Sequence, residues 1–334
     1  MIKEIGIGAS AVPGRHAAVR EALRDGVFLV RHPIGATLLD EAYGLLGDFF
    51  AMPLEAKMKC RAPGTNGQAG YLPALIETAE RSRQPDWKEL FHWGRGLPAG
   101  HPLRERYPSR YPDPLLPDAL VPGIASALTG LHEAVFDFQL SVVDAIGCAL
   151  GTGTGYFREM LADGPVVNRA AWYPPIAGAP SGDCVWAVEH QDFDLITALP
   201  RATSAGLEVR VAGSWHPVTP PEGYAVVVAG MAMERLTGGA VPAVFHRVVA
   251  GPCQDAGRLS IVQFCHPTPW TVLTPIEVPA GLGTTSRFPT LTAGDLFDRT
   301  MYRINRLDSA RTGAARPAAS ASVAVTAGRG LAAR

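Results

Sequence analysis

Between Val166 and about Glu277 the chain is a succession of short β-branched and aromatic runs punctuated by Gly, Pro, Asn and Asp, with no long helical stretch among them. The runs are VVNRAAWY, CVWAVEHQDF, GLEVRVAGSWHPV, YAVVVAG, AVFHRVV and RLSIVQFCH. Short strands at this spacing bury their apolar faces by packing sheet on sheet, so the segment predicts a sandwich or jelly roll. Ahead of it, Leu120, Ile124, Leu128, Leu131, Val135, Phe138, Val142 and Ile146 recur at three- and four-residue steps. That is the period of one helical face, and it predicts the longest helix between Pro117 and Leu150. The expected class is mainly β with flanking helices, a jelly-roll core packed against that helix.

The remaining segments extend this frame. RHAAVREALR (residues 15–24) reads as a short amphipathic helix stopped by Gly26, VFLVRH as a strand, and LLDEAYGLLGDFFAMPLEAKMK as a helix broken near Pro53. The Gly-, Pro- and aromatic-rich stretch from Arg61 to Asp113 holds one strand-like piece, WKELFHW, and a last helix is expected over residues 293–307. Past Ser309 the tail is Ala, Ser, Gly and Arg, a composition that does not build a core. The expectation is one domain over 1–308, helix-rich over 1–165, with the jelly roll at about 166–280, and a disordered tail over 309–334.

With 47% hydrophobic and 18% charged residues a large core can form, and a net charge of −1 gives no general attraction to nucleic acid or an anionic membrane. The five cysteines are scattered with no C-x-x-C pair, which speaks against a disulfide framework or a thiolate zinc site. No apolar run is long enough to predict a membrane span. A soluble, cytoplasmic protein acting on a small molecule is expected. GTGTGY at Gly151 follows a helix and lacks dinucleotide-binding spacing, and GASAVPG is no nucleophile elbow.

The stretch VEHQDFDLITALP reads as buried strand, yet carries His190 and Asp192, which share a face if the strand is extended. Unpaired charge is costly there, and a divalent cation would offset it. Asp194, on the same face, is a rival ligand. His246 lies in the apolar run PAVFHRVVAG and supplies a second imidazole. Two imidazoles and one carboxylate make a facial set suited to iron(II), and the same set could hold zinc. In GRLSIVQFCHP, Arg258 and Ser260 share a strand face. A guanidinium beside a hydroxyl in an apolar strand suits a carboxylate ligand.

The order H-x-D, a later His, then R-x-S resembles that of the iron(II)- and 2-oxoglutarate-dependent oxygenases, specifically the isopenicillin N synthase-like branch. GVFLVRHP, FFAMPLEAKMK, DWKELFHWG, RAAWYPP, GLEVRVAGSWHPVTPPEGYAVVVAG and ERLTGGAVPAVFHRVV are similar to stretches of that branch, so the likeness spans roughly residues 20 to 310. The resemblance implies a double-stranded β-helix core and an oxygenase that uses Fe(II), 2-oxoglutarate and O2. It further implies that His190, Asp192 and His246 hold iron, while Arg258 and Ser260 bind the distal carboxylate of 2-oxoglutarate with help from Tyr173. It favours Asp192 over Asp194.

One departure is that many members carry Asn two residues before the tyrosine, where this chain has Ala171 followed by Trp172. Either the co-substrate has fewer contacts or the pocket is reshaped. Hydroxylation, desaturation or cyclisation of a small molecule of specialised metabolism is the implied reaction. The alternative is an iron oxidase of the same fold that dispenses with 2-oxoglutarate. A jelly-roll binding protein or zinc hydrolase stands further off.

Alternation from Arg258 puts Val262, Phe264 and His266 on the face of Ser260. Arg169, Trp172 and His92 are further expected substrate contacts. Arg169 and His266 together would suit a carboxylated substrate.

Overall fold

The computed structural model describes residues 2–7, 14–65, 67–76, 86–180, 184–251, 256–283 and 288–304. In chain order the N-terminal part holds β1 (Lys3–Ile5), α1 (Arg15–Leu23), β2 (Val27–Arg31), α2 (Ala36–Ala51), α3 (Leu54–Met58), β3 (Gly70–Leu72), β4 (Glu89–Gly94), α4 (Pro102–Arg106), α5 (Ile124–Leu150) and α6 (Tyr156–Ala162). The strand-rich part holds β5 (Val166–Tyr173), β6 (Ala187–His190), β7 (Ile196–Ala202), β8 (Leu207–Val211), β9 (Ser214–Pro217), β10 (Tyr224–Ala229), α7 (Met231–Leu236), β11 (His246–Val248) and β12 (Arg258–Cys265). α8 (Ala293–Ile304) follows. The tail over 309–334 lies outside the described residues.

Two sheets face each other. The major one has eight strands in the order β1-β2-β10-β7-β12-β5-β4-β3, and the minor one has four in the order β6-β11-β8-β9. Period-two alternation assigns each major-sheet residue to a side. On β12, Leu259, Ile261 and Cys265 join the core shared with the helices, whereas Arg258, Ser260, Val262 and Phe264 line a cavity between the sheets. On β10, Ala225, Val227 and Ala229 face the helices and Val226 and Val228 face the minor sheet. The structure is thus the jelly-roll core packed on a long helix that the pattern predicts.

α5 buries Leu128, Leu131, Val135, Phe138, Val142 and Ile146 against the sheet. Its start differs from expectation: residues 117–123 form turns, and Gly123, at φ 89°, sits in the left-handed region at the N-cap. Leu120 therefore precedes the helix. A polar seam bolts α5 to the sheet. Gln139 Nε2 donates to the carbonyls of Ile196 (3.2 Å) and Gln263 (3.1 Å), Gln263 Nε2 donates to Asn168 Oδ1 (2.8 Å), and Asn168 Nδ2 donates to Trp93 O (3.3 Å). Asn168 Nδ2 also lies 2.6 Å from His132 Nδ1. No helix among the described residues is long and apolar enough to cross a membrane.

Candidate metal centre and its cavity

The stretch read as one strand, VEHQDFDLITALP, is two. β6 ends at His190 in the minor sheet, and β7 begins at Ile196 in the major sheet. Asp192 therefore lies in the connecting turn and not on a strand face. The turn is held by α7, whose first amides donate to it: Met231 N–H to Asp192 O (2.9 Å) and Ala232 N–H to Asp194 O (3.0 Å). Gly230 makes this possible, because a Cβ there would lie 2.3 Å from both Asp194 O and its Oδ1.

His190 and His246 are cross-strand partners on β6 and β11, with ring centroids 4.3 Å apart. Each ring's Nδ1 reaches a backbone carbonyl two residues earlier, Val188 O at 2.8 Å and Val244 O at 3.1 Å. A carbonyl only accepts, so Nδ1 carries a proton in each ring and Nε2 is the nitrogen turned away from the backbone, available to a metal. His246 Nε2 lies 3.8 Å from Asp192 Oδ2. Among the described residues, the group able to hold a metal ion is His190, Asp192 and His246, one ligand atom from each lying within 4.8 Å of the others. Asp194 is not a member of it.

Charge in this pocket is sharply differentiated. Burial, then the neighbouring His246, push the His190 imidazole down to about 3, so it is neutral. Burial would raise Asp192, but His246, His190, the Thr197 hydroxyl (2.5 Å) and Arg169 outweigh it and hold the carboxyl below its usual value. Asp194 is driven the opposite way, by complete burial and by the charge of Asp192. The two carboxyls are thus pushed apart, and Asp194 Oδ1 lacks a hydrogen-bond partner.

Across the cavity, Arg258 is only 2% exposed. Its Nε donates to Ser204 O (3.1 Å), its guanidinium lies 5.2 Å from the Tyr173 ring centre, and its Nη1 has no partner. An organic carboxylate would complete it, since a buried, unspent N–H is expensive. Ser260 and Tyr173 line the same cavity, as do Lys88, Leu90, Arg169, Ala171 and Phe264. Asp192 is the one acid among the lining residues, against the cations Lys88, Arg169 and Arg258. Imidazole nitrogens turned away from the backbone and one carboxylate suit a divalent metal with nitrogen and oxygen preference, and the cations suit an organic acid beside it.

The expected substrate contacts divide. Arg169 lines the cavity, its guanidinium 5.1 Å from the Phe264 ring centre, and its Nε donates to His92 Nε2 (2.7 Å). His92 thus stands behind Arg169 and is not itself among the lining residues. Trp172 is a correction: three residues from Arg169 on the same strand, it faces the other way and stacks on Phe50 at 6.4 Å. His266 lies one residue beyond β12, within electrostatic reach of Asp192. β12 ends at Cys265, alternation stops there, and the His266 ring packs against Phe193 (5.2 Å) and Phe297 (5.3 Å). Missed altogether were Lys88, Leu90 and Thr197. Lys88 shares parity with Leu90 and His92, so the alternation of WKELFHW carried the signal.

Comparison with known proteins gives a consistent result. Residues 163–267 match the family described as the 2OG-Fe(II) oxygenase superfamily, and residues 10–114 match the N-terminal family described as non-haem dioxygenase in morphine synthesis. The chain is 31% identical over 303 residues to gibberellin 20 oxidase 2 of Oryza sativa subsp. indica, covering 89% of this chain and 74% of the relative. It is 30% identical over 251 residues to the 2-oxoglutarate-dependent dioxygenase citB of Monascus ruber, covering 71% and 73%. The crystal structure of a 2OG-Fe(II) oxygenase family protein from Caulobacter crescentus superposes with a TM-score of 0.74 at 29% identity, covering 89% of this chain and 97% of that one.

Proposed function

Because the chain belongs to the 2OG-Fe(II) oxygenase superfamily, whose members use Fe(II), 2-oxoglutarate and O2, we propose that His190, Asp192 and His246 hold its iron and that Arg258, Ser260 and Tyr173 receive the distal carboxylate of 2-oxoglutarate. The enzyme is an oxidoreductase acting on a small molecule. When bound, the iron supplies dioxygen activation coupled to oxidative decarboxylation of 2-oxoglutarate to succinate, which drives hydroxylation, desaturation or cyclisation of the substrate. The chain's own residues do the rest. The Val188 and Val244 carbonyls fix the imidazole tautomers, Thr197 orients the Asp192 carboxylate, and the Arg258 guanidinium neutralises the far end of the co-substrate. The Ala171 side chain offers no hydrogen bond, so the co-substrate relies on Arg258, Ser260 and Tyr173.

The observation that carries this reading is a buried arginine with an unspent Nη1 facing a His-Asp-His cluster across one cavity. The substrate side is read from charge. Lys88 is paired with Asp86, and a divalent ion, Asp192, Arg258 and Arg169 together leave an excess that the two charges of 2-oxoglutarate do not cancel. A small molecule carrying one carboxylate, engaged by Arg169, closes the balance. The named relatives support a substrate from specialised metabolism.

Anaerobic addition of Fe(II) and then 2-oxoglutarate tests the assignment. A weak visible charge-transfer band on the second addition is expected, and Asp192→Ala should lose it while keeping the far-ultraviolet circular dichroism of the folded protein. Iron binding with no band on the second addition would overturn the co-substrate assignment in favour of an oxidase that works without 2-oxoglutarate.

A further inference from the structure

We propose that the gap between the sheets holds a second organic-acid site behind Arg258, which takes a monocarboxylate with an apolar body and sets it in competition with 2-oxoglutarate. The competition rests on the iron and 2-oxoglutarate reading above, whereas the site itself does not.

Two cavities lie in series between the sheets. The one over the metal cluster is about 50 Å³, and the one behind it is about 430 Å³. Small-molecule sites run to about 300–1,000 Å³, so of the two the rear cavity has that size. β7 gives the direction: Thr197 lines the metal cavity, Leu199 lines both, and Arg201 and Ala202 line the rear one. β12 runs antiparallel beside it, and there Phe264 and Val262 line the metal cavity alone while Ser260 and Arg258 line both. Arg258, Ser260, Leu199 and Leu207 are thus a shared wall.

The chemistry changes along the rear cavity. Its sides are Ile34, Leu39, Leu199, Leu207, Val218 and Val226, all aliphatic. At its inner end stands Arg258, 2% exposed and with an unpartnered Nη1, beside the Ser260 hydroxyl. Glu222 is the one acid among the described lining residues, and it is exposed at the rim with Ala36, Thr203, Ala205 and Thr219. A molecule entering from that rim meets hydrocarbon first and a buried cation last. Burying its body is favourable in proportion to apolar area, and its carboxylate would give the guanidinium the partner that a buried N–H needs. None of His190, Asp192 and His246 lines this cavity, so the acid needs no 2-oxo group to bind there.

The shared arginine makes the two acids rivals. Carboxylates drawn to one guanidinium from opposite sides repel each other, so filling either cavity discourages the other. A rear acid is therefore an inhibitor that never touches the metal.

The probe is octanoate, with acetate as the acid that lacks the apolar body. Calorimetry on the metal-free protein should show octanoate binding, and acetate binding about 100-fold weaker or more for want of buried methylenes. Ala36→Trp/Thr219→Trp places two indoles at exposed rim positions that line the rear cavity alone. It should weaken octanoate about tenfold or more by obstruction, while 2-oxoglutarate, titrated by the charge-transfer band on anaerobic iron-loaded protein, keeps its wild-type affinity. Octanoate at about ten times its wild-type Kd should raise the apparent Kd for 2-oxoglutarate about 11-fold in wild type, the value for mutual exclusion, and about 2-fold or less in the rim variant. If the rim variant binds octanoate as tightly as wild type, the acid sits elsewhere and the proposal fails. It fails equally if wild type binds no octanoate, if acetate binds as well, or if saturating octanoate leaves the affinity for 2-oxoglutarate unchanged. A wild-type protein that binds octanoate yet gives no charge-transfer band would instead sink the parent reading, with calorimetry still deciding the rear site.

Discussion

Arg258→Met separates a cation kept for a ligand from one kept for the fold. Arg258 Nε donates to Ser204 O, and its Nη1 has no partner. Removing that bond costs about 1 kcal/mol. Removing the charge relieves a desolvation penalty of several kcal/mol that no acid among the cavity-lining residues near it offsets. The ligand-free variant should therefore be as stable as wild type or more so. Binding moves the other way, since truncating one partner of a buried charge pair costs about 2–5 kcal/mol, of which 2.7 corresponds to about 100-fold in affinity.

At a 2-oxoglutarate concentration about 100 times the wild-type Kd, ligand stabilises wild type by about 2.7 kcal/mol and a variant weakened 100-fold by about 0.4 kcal/mol. Urea unfolding of the anaerobic iron-loaded proteins, with and without 2-oxoglutarate, reads both quantities. An Arg258→Met protein that loses more than about 2 kcal/mol without ligand, or keeps the full ligand-induced gain, would refute the reasoning.

Two further outcomes follow from buried polar groups away from the cavity. Lys57 Nζ pairs with Glu89 Oε2 at 2.6 Å, and Tyr71 donates to the same oxygen at 2.5 Å. Lys57→Met should cost about 3–5 kcal/mol by stranding the Glu89 carboxylate, and Lys57→Met/Glu89→Gln should recover most of it in urea unfolding; equal losses would show the pair is not the cause. His132, on the buried face of α5, has its pKa pushed down by burial, then by Arg95, to about 4 from an ordinary 6.5. The unfolded chain thus binds the extra proton between those values. The neutral ring's stabilisation is complete above about pH 6.5 and is lost at about 1.4 kcal/mol per pH unit as pH falls toward 4. In metal-free protein His132→Gln should flatten the fall in stability across that window, and an unchanged slope would count against the assignment.

What could be read in advance tracked one rule, alternation along strands, and failed where strands end. Arg258, Ser260, Val262, Phe264, Arg169 and Tyr173 reach the cavity because β5 and β12 run unbroken through them. By that same rule Trp172, of opposite parity to Arg169, turns away from the cavity toward Phe50, while Lys88, of the same parity as Leu90, lines it. His266 and Asp192 lie beyond strand ends, where side-chain direction is set by tertiary contacts: an aromatic cluster for one, the amides of α7 for the other. The short helices α4, α6 and α7 span five to seven residues each, too few for a periodic signature. The first turn of α5 was misjudged because Leu120 keeps the apolar period while Gly123 ends the helix register.

The amide seam between α5 and the sheet bears on how widely the pocket can vary. An interface of aliphatic side chains alone tolerates rolling and sliding, because dispersion has little directional preference. Gln139, Gln263 and Asn168 instead offer donors and acceptors that match at one azimuth and one axial position, so displacing the helix by a turn would orphan several of them together. The inward residues of β5 and β12 hang from a backing that cannot drift. Evolution or design could therefore exchange Phe264, Val262 or Arg169 to admit new molecules while the spacing between the His-Asp-His cluster and Arg258 stays put.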